Sequence, residues 1–100
     1  MARRLSAQAI DTLVVLSEQG GWLHGYELSR RTGLKPGTLY PILERLASRG
    51  LLEGRWEPSP LERRPARHVY RLTDVGGRIL YEELRRVQPG AQRRIGEAMS

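Results

Sequence analysis

Apolar side chains recur along the first half of the chain at helical spacing. In residues 6–18, Ile10, Leu13 and Val14 fall at i, i+3 and i+4, Ser6 is placed to cap the helix, and Gly20-Gly21 stops it. A second, shorter helix follows Gly25, runs from about Tyr26 to Thr32 and ends at Gly33. Leu34-Lys35-Pro36-Gly37 then turns the chain into a third helix that ends near Arg49-Gly50. That helix has the cleanest period: Leu39, Ile42, Leu43 and Leu46 sit at i, i+3, i+4 and i+7, and form its core stripe. Its other face carries Thr38, Tyr40, Pro41, Arg45 and Arg49. Pro41 is tolerated in a first turn if the helix begins at Thr38, whereas a start at Pro36 implies a kink.

From Leu51 to Glu57 the pattern changes to a short strand, with Leu52 and Trp56 on one face. Pro58-Ser59-Pro60 breaks it, and Arg67 to Leu72 reads as the returning strand, His68, Tyr70 and Leu72 alternating with Val69 and Arg71. The loop between them carries Arg63 and Arg64. Thr73 caps a fourth helix with Asp74 in its first turn, and Pro89-Gly90 ends it. Gly76 and Gly77 each cost that helix about 1 kcal/mol of propensity, so its opening turns are weakly encoded. The order is helix, helix, turn, helix, strand, loop, strand, helix. It predicts an α+β fold, mainly α: a winged helix-turn-helix with a two-stranded wing and a C-terminal helix, for which dimerisation is argued below. Residues 1–73 are expected to form the DNA-binding unit, and residues 74–100 the dimerisation helix and tail.

Composition narrows the function. One hundred residues make one small domain, with little room for an enclosed active site. The absence of Cys excludes a disulfide framework and a thiolate zinc site. The longest apolar stretch, Leu13 to Leu16, is far short of the ~20 residues of a membrane span, and no signal-peptide pattern is present, so the chain is expected in the cytoplasm. With 17 basic and 11 acidic residues the net charge is +6, and all the cations but Lys35 are Arg, whose planar fork suits phosphates and guanine edges. Nucleic acid is therefore the first partner class to consider.

His24-Gly25-Tyr26-Glu27-Leu28, Gly37-Thr38-Leu39-Tyr40-Pro41-Ile42-Leu43, Leu46 through Gly50-Leu51-Leu52, Arg64-Pro65-Ala66-Arg67 and Tyr70-Arg71-Leu72-Thr73 together resemble the PadR family of bacterial transcriptional regulators, over roughly residues 10–85. The resemblance implies a dimeric repressor whose third helix enters the major groove while the wing reaches the neighbouring backbone or minor groove. By position it assigns DNA contact to Lys35, Gly37, Thr38 and Tyr40, wing contact to Arg64 and Arg67, and dimerisation to residues 74–88. The chain looks like the small branch, which ends after that single helix. Arg63 stands where a wing-tip Gly is common, Val69 replaces a frequent Tyr, and His68 a frequent Arg or Lys. Some small members bind flat aromatic compounds at the dimer interface through a Trp on the last helix, where this chain offers Tyr81. A small aromatic effector is thus a candidate partner, acting by changing the half-site spacing.

Thr38 and Tyr40 can bond phosphate oxygens or base edges, and Gly37, lacking a Cβ, lets a phosphate approach the backbone. Arg45 and Arg49 read equally as phosphate clamps or as partners of Glu44 and Glu53. Arg63, Arg64 and Arg67 would be a solvated loop elsewhere, but behind a helix-turn-helix they read as a wing contact. Trp22, Trp56, Tyr26 and Tyr70 are expected to be packing residues. His24 and His68 have no second ligand at metal spacing, and no catalytic constellation is present, so neither a metal site nor an enzyme is expected. On the fourth helix Ile79, Leu80, Tyr81, Leu84 and Val87 cover more than one stripe, which points to a second subunit. The rival readings are a winged-helix protein–protein adaptor and a nonspecific nucleoid-type DNA binder.

Overall fold

Each helix starts and stops where its local chemistry requires. In the computed structural model, which describes residues 4–58 and 66–87, helix α1 spans Ala7–Gln19. The Ser6 side chain accepts the Ala9 N–H at 3.1 Å, and Gly20 ends the helix at φ 71°, a left-handed conformation that glycine adopts without a Cβ penalty. Strand β1 is only Leu23–His24, followed directly by α2, Gly25–Thr32. Helix α3 spans Pro36–Ser48, strands β2 and β3 span Leu52–Glu57 and Arg67–Leu72, and helix α4 covers Asp74–Val87. Thr73 caps α4 as expected: its hydroxyl accepts the Gly76 N–H at 2.9 Å while donating to the Gly50 carbonyl at 2.6 Å.

The sheet is antiparallel with order β1-β3-β2, so β3 is its middle strand. Leu23 faces Tyr70 across one seam, and Leu52 faces Leu72 across the other. The two-stranded wing expected from the sequence therefore has a third strand at its root. β1 was not legible because two residues cannot display an alternation. Strand β2 leaves the core as it proceeds: Leu52 is buried at the root, while Trp56, on the same face, lies beyond the body of the protein.

Leu13, Leu16, Leu28, Leu39, Leu43 and Leu52 are almost wholly excluded from solvent, and with Tyr70 they show that α1, α2, α3 and the sheet share one core. Burial of each leucine stabilises by roughly 1.5–3 kcal/mol. Leu80 brings α4 into the same core. Helix α4 crosses very close to the start of β2, because a Cβ built on Gly76 would lie 1.7 Å from the Leu51 carbonyl oxygen. The glycine that weakens the helix locally is what allows this contact.

Helix α3 begins at Pro36, two residues before the Thr38 start that would have put Pro41 in a first turn. Pro36 suits the first helical position. Pro41 therefore sits inside the helix, where it has no N–H to offer the Gly37 carbonyl. The helix nonetheless runs as one continuous element through Pro41.

Candidate nucleic-acid interface

The turn between α2 and α3 is held by its own side chains. Ser29 donates to the Leu34 carbonyl at 2.6 Å, Thr32 donates to the Leu28 carbonyl at 2.7 Å, and the Thr32 hydroxyl accepts the Leu34 N–H at 3.2 Å. Gly33 supplies the left-handed residue, at φ 77°. These bonds fix the entry into α3, where the Lys35 carbonyl accepts the N–H groups of Thr38 and Leu39. The Lys35 side chain makes no capping bond and stays exposed.

Burial of Leu39, Ile42, Leu43 and Leu46 turns the rest of α3 outward, and Lys35, Gly37, Thr38, Tyr40 and Arg45 are all exposed. Gly37 has a negative φ, and no described residue comes within 4 Å of where its Cβ would be. Neither backbone conformation nor crowding inside the chain calls for glycine there. Tyr40 lies over the start of α2, where a Cβ on Gly25 would come within 2.7 Å of its hydroxyl. Gly25 is thus what lets Tyr40 occupy that position.

Tyr40 lines an open groove of about 830 Å³ between α2, α3 and the wing, together with Tyr26, Glu44, Trp56, Arg67 and His68. Tyr26 and Trp56 were expected to be packing residues; they are 76% and 67% exposed. Tyr26 stands in the first turn of a helix too short for its periodicity to orient a single ring, and Trp56 is carried past the core by its strand. Trp56 stacks on His68 with ring centres 4.6 Å apart, and His68 Nδ1 meets the Tyr70 hydroxyl at 2.9 Å. Burial first, then the charges of Tyr40 and Glu44, push the Tyr70 phenol up to about 12. Tyr70 is a core residue, as expected.

Arg67 is exposed and opens β3 opposite Glu57. Arg63 and Arg64 lie outside the described residues. Two further wing arginines had no contact assigned from the sequence: Arg55 and Arg71 stand 4.1 and 5.1 Å from the centre of the Trp22 ring, a cation–π pairing that ties β2 and β3 to the residue before β1. Arg71 also takes Glu53 as its ion-pair partner. Arg45 lies on the flank of α3 away from Tyr40, beside the start of α1.

On α4, Leu80 is 5% exposed and packs inside its own chain, which corrects its assignment to the dimerisation surface. Ile79 and Leu84 are partly buried against the same core, and Tyr81 is 63% exposed. Val87 closes the helix. A buried carboxylate, Glu83, accepts the Leu5 N–H at 3.2 Å and so ties α4 to the start of α1. No sequence pattern marks it, because an acidic residue on a charged helix reads as surface.

A two-helix turn unit with an outward second helix, followed by a hairpin rooted in a small sheet, is a winged helix-turn-helix. The chain belongs to the PadR-like family of transcriptional regulators, which it matches over residues 12–83. It is 40% identical over 83 residues to the transcriptional regulator Rv3488 of Mycobacterium tuberculosis, a similarity covering 77% of this chain and 69% of that one. Among solved structures it resembles a PadR family regulator from Eggerthella lenta, with TM-score 0.65 and 29% identity over 89% of this chain and 80% of the other. It also resembles NadR in complex with 4-hydroxyphenylacetate, with TM-score 0.72 and 25% identity over 96% of this chain and 64% of that one. No helix among the described residues is long and apolar enough to cross a membrane.

Proposed function

We propose that this regulator is a cytoplasmic homodimer that binds double-stranded operator DNA as a repressor, with residues 1–73 serving DNA and residues 74–100 dimerisation. The start of α3 enters the major groove, where Thr38 and Tyr40 meet base edges, Gly37 admits a phosphate to the backbone, and Lys35 and Arg45 neutralise charge. The wing, through Arg67 together with Arg63 and Arg64, makes the second contact. Ile79, Tyr81, Leu84 and Val87 of α4 face the second subunit. A two-fold dimer would set recognition helices about one DNA turn, ~34 Å, apart, so the operator is an inverted repeat. A small aromatic effector belongs to the same reading, supported by the 4-hydroxyphenylacetate held by NadR.

The observation that carries the reading is Gly37: a glycine at the exposed start of the recognition helix with no reason for being there inside its own chain. The exposed aromatic groove beside it favours a second reading, a surface for docking another protein. Fluorescence anisotropy against the protein's own upstream DNA and a scrambled duplex, at ~50 and ~200 mM salt, separates the two. A preference of about a thousandfold or more that survives the higher salt, and is lost in Lys35→Glu/Arg67→Glu, is the expected result. Equal binding to both duplexes would mean a nonspecific binder, and no binding to any duplex would leave the docking surface.

A further inference from the structure

A helix lying in the major groove has a wall of phosphates on each side, because the groove is only about 12 Å wide. At 3.6 residues per turn the outward midline of α3 carries Gly37, Pro41 and Glu44, with Tyr40 on one flank and Thr38, Arg45 and Arg49 on the other. The surroundings of the two flanks differ in charge. On the Tyr40 side the groove toward the wing holds the carboxylates Glu27 and Glu44 as well as Arg67. On the other side Arg45 and Arg49 line a cleft of about 640 Å³ with Arg4, Ser6, Gln8 and Ser48, and no carboxylate is among its described lining residues. Glu83, which reaches the backbone of Leu5 nearby, is buried.

We propose that this arginine cleft, formed by the start of α1 and the second half of α3, is a phosphate-binding site that grips the far wall of the major groove, opposite the wing. Arg4 and Arg45 make the contacts, Arg49 borders the site, and Ser6 and Gln8 add hydrogen-bond donors. The site gives affinity without sequence preference, since a phosphodiester carries no base information. With the wing on one wall and the cleft on the other, α3 is held from both sides, which fixes its register in the groove. This inference rests on the DNA-binding reading above.

Anisotropy titrations at ~50, ~100 and ~200 mM salt test it, with wild type, Arg4→Gln, Arg45→Gln, the double variant and Arg78→Gln compared on the operator and a scrambled duplex. Arg78 borders a different cleft, at the other end of α1, and serves as the control. Each lost phosphate contact flattens the slope of log affinity against log salt by about 0.9. From the lowest to the highest salt, wild type should therefore lose roughly tenfold more affinity than the double variant. The ratio of operator to scrambled binding should not change, and circular dichroism melts should show both substituted proteins folded, because the two side chains are exposed. An unchanged slope in the double variant overturns the inference, as does a loss confined to the operator, which would make these arginines base readers. If inorganic phosphate raises the melting temperature through Arg4 and Arg45 while the DNA slope stays put, the cleft takes a free anion and the DNA assignment fails. A wild type that binds no duplex would refute the DNA-binding reading as a whole, which is distinguishable from failure of the cleft alone.

Discussion

Gly76 and Gly77 are neighbours in the same helix, yet the packing around them assigns opposite signs to the same substitution. A Cβ at Gly76 would lie 1.7 Å from the Leu51 carbonyl oxygen and 2.9 Å from Leu72 Cδ1. Ordinary carbon–oxygen contact needs more than 3 Å, so Gly76→Ala forces α4 away from β2 by well over an ångström. Two bonds bridge that junction, Thr73 N–H to the Leu51 carbonyl at 3.2 Å and the Thr73 hydroxyl to the Gly50 carbonyl at 2.6 Å. Weakening both costs about 0.5–1.5 kcal/mol each, and overpacking adds about 1–3 kcal/mol. Alanine returns about 1 kcal/mol of helix propensity, leaving a net destabilisation of about 1–5 kcal/mol. At Gly77 the nearest atom to a Cβ is Leu72 Cδ2 at 3.7 Å, an ordinary contact, so Gly77→Ala should stabilise by about 0.5–1 kcal/mol. Urea unfolding followed by circular dichroism, at one fixed protein concentration so that assembly does not confound the comparison, reads both. The midpoint should fall by roughly 1–3 M for the first variant and rise slightly for the second. A Gly76→Ala protein as stable as wild type, or a shared direction for the two, would refute the close-approach account.

Three other outcomes are expected. Gly37→Ala should melt at or above the wild-type temperature, since its Cβ meets nothing in the chain, yet bind operator DNA at least several-fold more weakly; unaltered affinity would remove the argument for a phosphate at that backbone. The fold favours the neutral phenol of Tyr70, whose pKa is raised from 10.0 to about 12, so its contribution is complete below pH 10 and is lost as pH rises toward about 12. Urea midpoints between pH 9 and 12 should fall more steeply for wild type than for Tyr70→Phe, and parallel curves would contradict this. Tyr81→Asp should shift the protein toward monomer in light scattering at micromolar concentration without lowering its helix content; a dimer of undiminished strength would move the interface off this part of α4.

The sequence disclosed the parts of the fold that repeat and concealed those made by single encounters. Leu39, Ile42, Leu43 and Leu46 declare their face because a four-residue stripe has a period, and Ser6, Thr73, Gly20 and Gly33 declare ends because capping is local chemistry. β1 has no period to show, and it exists because β3 has a free edge beside Leu23. The site divides along the same line. Periodicity places Thr38, Tyr40 and Arg45 on the exposed side of α3, but it cannot say which elements stand against each flank. Those neighbours come from distant chain segments: Tyr26 and Trp56 gather beside Tyr40, and Arg4 gathers beside Arg45. A helix face is thus written in one stretch of sequence, whereas the charge it meets on either side is set by tertiary packing. Two flanks of one helix, one bordered by rings and carboxylates and the other by arginines, are a property of the assembled fold, and they give the two sides of α3 different work to do.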